Sequence, residues 1–224
     1  GLMVGHPNVD GLGEVVRFVP CTNVAESARV YTIDPKEHLR AELAAEADGL
    51  IEAIDLERSL LEPMKGDCDL VIESVVEDLA VKKALFTELE EIVKPGGILA
   101  TNTSTLPVVE MAMVTKRPEL VCGIHFFNPA PMMKLVEVIR PITASDHTIA
   151  AALAFAAACG KDGVEVKDRA GFIVNALLFP YLNNAVRMWE TGTASMESID
   201  TAMKGGCNFP MGPFALLDLV GLDT

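Results

Sequence analysis

The sequence is short of positive charge, of cysteine pairs and of uninterrupted apolar runs. Its 18 Lys and Arg stand against 32 Asp and Glu, a formal net charge of −14 over 224 residues. That balance argues against non-specific nucleic-acid binding, which needs cationic surface to displace counterions from phosphate. It leaves room for an anionic small molecule, because backbone amides at a helix start hold phosphate without net charge. No run of about 18 apolar residues is free of charge, so no membrane span is expected. The opening GLMVGHPNVDG has neither the basic nor the apolar region of a secretion signal, and a cytoplasmic protein is expected. Cys21, Cys68, Cys122, Cys159 and Cys207 form no C-x-x-C pair. No metal site is expected, and the thiols read as reduced.

What is present is a large apolar fraction, 50% of residues, enough to build one large core or two modest ones. From residue 30 to 166, short β-branched runs alternate with longer amphipathic stretches. VYTID (30–34), DLVIESV (69–75), GGILATN (96–102), LVCGIHF (120–126), LVEVI (135–139) and VEV (164–166) read as strands. Several are apolar nearly throughout, as in a parallel sheet covered on both faces. Helices are predicted over 79–93, stopped by Pro95-Gly96-Gly97, and over 146–159, between an N-cap at Ser145 and a stop at Gly160. This βαβ grammar predicts an α/β fold with a Rossmann-like doubly wound sheet.

After Lys167-Asp168-Arg169 the pattern becomes all-helical. Residues 171–192 form one long helix pattern with Pro180 inside it, where a kink is expected. A second helix over 195–206 should end at Gly205-Gly206, and FALLDLVG makes a third. The domains are therefore placed at 1–168 and 169–224. The second is small for its apolar content, so it is expected to be truncated or completed by a dimer partner.

Chemistry is expected where strands end. Asn102-Thr103-Ser104 follows one strand, His125 closes the next in GIHFFNPAPMMKLVEV, and Glu137 comes twelve residues later. Asn175 sits in the first turns of the long helix. A carboxylate partner fixes the tautomer of a histidine and supports its protonated form, which suits a general base.

The segments ATNTS, GIHFFNPAPMMKLVEV, KDRAGFIVN, SIDTAMKGG and FPMGPFALLDLVGLDT closely resemble the 3-hydroxyacyl-CoA dehydrogenase family, continuously from about residue 69 to 224. The resemblance implies NAD-dependent, reversible oxidation of an L-3-hydroxyacyl-CoA to the 3-ketoacyl-CoA, in fatty-acid β-oxidation or 3-hydroxybutyryl-CoA metabolism. His125 would be the general base, Glu137 its support, and Ser104 and Asn175 hydrogen-bond donors to substrate oxygens. Asn128 would hold the loop after His125. Glu77 and Lys82, in VVEDLAVKK, match positions near the nicotinamide ribose, although a solvated helix start explains both residues nearly as well. Asn102 and Ser104 complete that end of the cofactor site. A homodimer through the C-terminal helices is also implied.

The first 65 residues depart from the family pattern. The glycine fingerprint is reduced to Gly11 and Gly13 in GLGEVV, with Val16 in the third position and Pro20 in the helix that should follow. Asp34, ending VYTID, is the better cofactor marker: a carboxylate there accepts from ribose hydroxyls and disfavours a 2′-phosphate, so NAD is expected over NADP. Residues 35–65 suit the family's helical excursion that helps bind CoA. Ala176 and Ala215 stand where the family carries Arg and Glu. Two other readings compete. One is a catalytically impaired structural or acyl-CoA-binding relative, favoured by GLGEVV. The other is a dehydrogenase of free β-hydroxy acids, disfavoured by HFFNPAP.

Overall fold

A computed structural model describes residues 69–128, 130 and 132–221, together with the backbone of two strands, Val15–Phe18 (β1) and Val30–Ile33 (β2). The expectations for Gly11, Gly13, Pro20, Asp34 and residues 35–65 lie outside the described residues. The chain divides into two compact units, Gly1–Phe172 and Ile173–Thr224.

The first unit is a seven-stranded sheet in the order β1 to β7, continuing through Leu70–Glu73 (β3), Ile98–Thr101 (β4), Val121–Phe126 (β5), Leu135–Arg140 (β6) and Asp162–Lys167 (β7). Strands β2 to β5 run parallel, and so do β6 and β7. The pairs β1/β2 and β5/β6 are antiparallel, within a sheet that is otherwise parallel and covered by helices, the Rossmann-like α/β class that the sequence predicts. Val15 and Val16 belong to that antiparallel β1. Valines suit a pleated strand.

The two faces of the sheet are covered by different helices. Leu79–Ile92 (α1) and Val108–Ala112 (α2) bring Leu85, Phe86, Leu89, Val108 and Met111 onto Val71, Leu99, Val121 and Ile139. Asp146–Ala158 (α3) brings Ile149, Ala152, Phe155 and Ala156 onto Ile72, Cys122, Ile124, Val136 and Val138. Alternate residues of β5 and β6 thus go to opposite faces. The caps are those the sequence predicts. Ser145 accepts from Thr148 N–H at 3.1 Å, and Gly160 closes α3 in the left-handed region at φ 72°. The Asp78 side chain caps α1 through Ala80 and Val81 N–H.

The second unit contains Val174–Glu190 (α4), Met196–Cys207 (α5) and Pro213–Val220 (α6). Helix α4 continues across Pro180. Helix α5 runs through Gly205-Gly206 and ends at Asn208, which takes the left-handed conformation at φ 56°. The predicted stop is corrected for a physical reason: glycine permits a helix end without forcing one, and asparagine tolerates the left-handed position. Gly212 begins α6 without a side chain to cap it, and Asp200 on α5 supplies the missing acceptors to Phe214 and Ala215 N–H at 2.8 and 3.0 Å. A Cβ on Gly212 would lie 2.3–2.5 Å from Asp200 Cγ, Cβ and Cα. Gly212→Ala should therefore lose about 1–3 kcal/mol from overpacking. A urea melt unchanged from the parent would contradict this packing.

Candidate active site

The antiparallel register of β5 and β6 sets Gly123 opposite Ile139 and His125 opposite Glu137. Directly opposed residues on one face of such a ladder touch. His125 and Glu137 therefore meet on the face that carries Val121, Ile139 and helices α1 and α2. Both are buried, with side chains 5% and 1% exposed. His125 Nδ1 lies 2.9 Å from Glu137 Oε2, and Nε2 lies 3.2 Å from Ser104 Oγ. An ionised carboxylate can only accept, so Nδ1 carries the proton and donates. In the neutral ring Nε2 is then the acceptor, and the Ser104 hydroxyl donates to it. Phe127 and Phe172 bring their rings to 4.6 and 5.5 Å from the imidazole.

Ser104 is held from beneath by Glu77. One oxygen of that carboxylate accepts from the Thr103 hydroxyl, from Ser104 N–H at 2.9 Å and from Thr105 N–H at 3.2 Å. Burial pulls the Glu77 carboxyl upward. The Thr103 hydroxyl, the Lys82 ammonium and the two amides outweigh it and hold the group below its ordinary range. Its hold on the loop is present at neutral pH and is lost as pH falls through that lowered value. The other Glu77 oxygen lies 3.5 Å from Lys82 Nζ.

Lys82 is 1% exposed, which sets aside the alternative of a solvated helix start. Its ammonium donates to both oxygens of Glu73, at 3.0 and 2.9 Å, and to Val75 C=O at 3.3 Å. Glu73 is itself fully buried and accepts from Val75 N–H. Sequence reasoning missed Glu73, although a signal was there. Lys82 stands three, four and seven residues before Leu85, Phe86 and Leu89, on the apolar stripe of α1, where a lysine needs an anionic partner.

Asn102 bridges strand ends. Its amide donates to Ser74 Oγ at 2.9 Å, and its carbonyl accepts from Phe126 N–H at 2.8 Å, tying β3, β4 and β5 beside His125. The loop after His125 is gripped by Lys161, whose ammonium donates to the carbonyls of Ala130 and Met133 at 2.6 and 2.7 Å, while Asn128 is exposed. Asn175 lies in the first turn of α4, in the second unit. Cys122, three residues before His125, is fully buried, and burial pushes its thiol up to about 12. It is inert as a nucleophile at neutral pH.

Residues 22–169 match the profile described as 3-hydroxyacyl-CoA dehydrogenase, NAD binding domain. Residues 171–224 match that described as 3-hydroxyacyl-CoA dehydrogenase, C-terminal domain. Gly11 and Gly13 precede both matches. The mitochondrial hydroxyacyl-coenzyme A dehydrogenase of Homo sapiens is 52% identical over 156 residues, 70% of this chain and 50% of the human one. The probable 3-hydroxybutyryl-CoA dehydrogenase of Bacillus subtilis is 42% identical over 212 residues, 88% and 73% of the two chains. The crystal structure of (S)-3-hydroxybutyryl-CoA dehydrogenase PaaH1 from Ralstonia eutropha matches with TM-score 0.71 at 37% identity, covering 81% of this chain and 72% of that one. The chain spans about half the length of the mammalian relatives it matches.

Proposed function

The chain belongs to the 3-hydroxyacyl-CoA dehydrogenase family, and we propose that it interconverts an L-3-hydroxyacyl-CoA and the 3-ketoacyl-CoA with NAD. The observation that carries the proposal is the line Glu137–His125–Ser104: a histidine clamped at Nδ1 by a buried carboxylate and presenting Nε2 beside a serine hydroxyl. In the oxidative direction His125 Nε2 takes the proton of the 3-hydroxyl group. Glu137 stabilises the imidazolium so formed. Ser104 donates to the same substrate oxygen, and Asn175 is assigned to a substrate oxygen as well. NAD, when bound, supplies the acceptor for the hydride that leaves C3. In the reductive direction the imidazolium returns its proton to the carbonyl oxygen.

Polar groups at the carboxyl ends of β3 and β4 fit the nicotinamide end of NAD, since dinucleotides sit at such strand ends. Glu77, with its side chain 39% exposed, is assigned to the ribose hydroxyls. Asn102 and Lys82 are assigned to holding that end of the site in shape, and Lys82 acts through Glu77. Asp34 is kept as acceptor for the adenosine ribose. Gly11 and Gly13 are kept with it as candidates for the turn that approaches the pyrophosphate. The test is NADH oxidation by the purified protein with acetoacetyl-CoA. Consumption that depends on the acyl-CoA is expected, and its absence would favour the impaired acyl-CoA-binding relative.

A homodimer through the C-terminal helices is part of the proposal. Leu177 and Leu219 are each 71% exposed, with Phe179, Trp189 and Phe209 about half exposed. Exposed apolar side chains of this kind suit a covering partner, which supports the reading. Sedimentation at micromolar concentration should give twice the mass of the chain, and a stable monomer would contradict it.

A further inference from the structure

We infer that Phe172 is a positioning residue for His125, held in a strained backbone turn so that its ring stops the imidazole from swinging. The inference deepens the reading of His125 as the base and rests on it. Hydrogen bonds at Nδ1 and Nε2 fix the ends of a line through the imidazole. The ring is also joined to the chain at Cγ, so its remaining freedom is rotation about the side-chain bonds, which lengthens both hydrogen bonds. Such rotation swings the Nε2 lone pair, which lies in the ring plane, away from the direction in which a substrate hydroxyl must approach. Groups packed against the faces and edges of the ring oppose this, and among the described residues Phe127 and Phe172 are the aromatic rings that bear on it, tilted by 54° and 60°. Phe127 arrives there as the near neighbour of His125 in the chain. Phe172 comes from 47 residues away.

The backbone that delivers Phe172 is unusual. Among the described residues, the non-glycine residues with positive φ are Asn208 and Phe172, at 56° and 48°. Asparagine takes that conformation readily and ends a helix with it, whereas a bulky aromatic residue does not. Gly171 before it is also left-handed, at φ 74°. Such a conformation persists only where its surroundings over-determine it, and it concentrates at working sites. Here the surroundings are visible. Asp168 N–H donates to Arg140 C=O at the end of β6, at 3.1 Å. The Asp168 carboxylate accepts from Val108 and Val109 N–H, at 3.1 and 2.7 Å, at the start of α2. Phe172 N–H donates to Arg169 C=O at 2.9 Å, closing the turn. The segment 168–172 is thus tied to the strand that carries Glu137 and to the helix just beyond Ser104. It ends with Phe172 6% exposed, packed into the same cluster as Val108 and Met111. One turn is fastened to the elements that flank both partners of His125 and seats a ring against it.

Phe172→Leu keeps apolar bulk and removes the ring. A base displaced by about 1 Å can lose about 10²-fold in rate. We expect kcat with acetoacetyl-CoA to fall by about 10- to 100-fold, with KM and the NADH dissociation constant unchanged. Phe172→Tyr, which restores the ring, should recover most of kcat. In ¹⁵N spectra the two His125 ring nitrogens should be distinct in the parent and partly averaged in Phe172→Leu. Unchanged kcat, or a parallel loss of kcat and NADH affinity, would overturn the inference. If the parent itself does not consume NADH, the functional reading fails, and the spectra still judge the positioning: identical His125 signals in the two proteins would overturn it. If Phe172→Leu does not fold, proton cross-relaxation between the Phe172 and His125 rings in the parent decides. A cross-peak supports the contact, and its absence overturns it.

Discussion

His125→Gln should lower the rate of NADH oxidation with acetoacetyl-CoA by about 10²–10⁴-fold, the usual worth of a positioned general acid–base group. Glutamine fills much of the same space and can still hydrogen-bond. It cannot take or give a proton at neutral pH. The loss should appear in kcat, because the proton moves only in the chemical step. NADH affinity should be close to that of the parent, since His125 is bound to Glu137 and Ser104 and neither bond depends on the dinucleotide. Stopped-flow measurement of NADH oxidation alongside fluorescence titration of NADH separates the two quantities. Turnover at the parental rate would remove His125 from the mechanism.

The largest expected effect on stability comes from the ion pair beneath the site. Lys82→Met leaves Glu73 without its ammonium at a position with no exposure to water. Removing one partner of a buried pair typically costs about 3–5 kcal/mol. Domains have only about 5–15 kcal/mol in all, so Lys82→Met should unfold at much lower urea. The double variant Glu73→Leu with Lys82→Met should recover much of the loss, because it removes the orphaned charge as well. A single variant as stable as the parent would show that Glu73 finds water or another cation. Exposed pairs make the contrast. Lys83–Glu110, on the outer side of α1, should matter little.

These two predictions fall on opposite sides of what the sequence made legible. His125 and Glu137 could be read as a pair because a strand-end histidine with a carboxylate partner suits a general base and the resemblance joins them. The antiparallel register that sets them face to face is seen in the structure. Ser104 was legible as the polar end of an apolar strand. The burial of Lys82 was harder to read, because adjacent lysines at a helix start look alike until the stripe of Leu85, Phe86 and Leu89 is drawn through them. Lys83 then faces Glu110 near the surface, and Lys82 faces the core. Glu73 was hidden inside a strand that looked apolar, and its partner lies nine residues away on another element. Helix caps at Ser145 and Gly160 followed local rules and were predictable. The end of α5 was not, since two glycines offered a stop and Asn208 made it. The antiparallel edge strand β1 was equally illegible, because pairing direction is decided by neighbours and not by the valines that form the strand.

In the proposed mechanism Glu137 fixes the imidazole so that Nε2 is the atom that exchanges a proton with substrate. The tautomer of His125 tests it most directly. In protein labelled with ¹⁵N at histidine, at a pH where the ring is neutral, the account predicts one dominant form with the proton on Nδ1 and a bare Nε2. That assignment should disappear in Glu137→Gln, whose amide can donate to Nδ1 as well as accept from it. A parent spectrum showing the proton on Nε2, with Nδ1 bare, would place the acceptor on the wrong side of the ring and contradict the account.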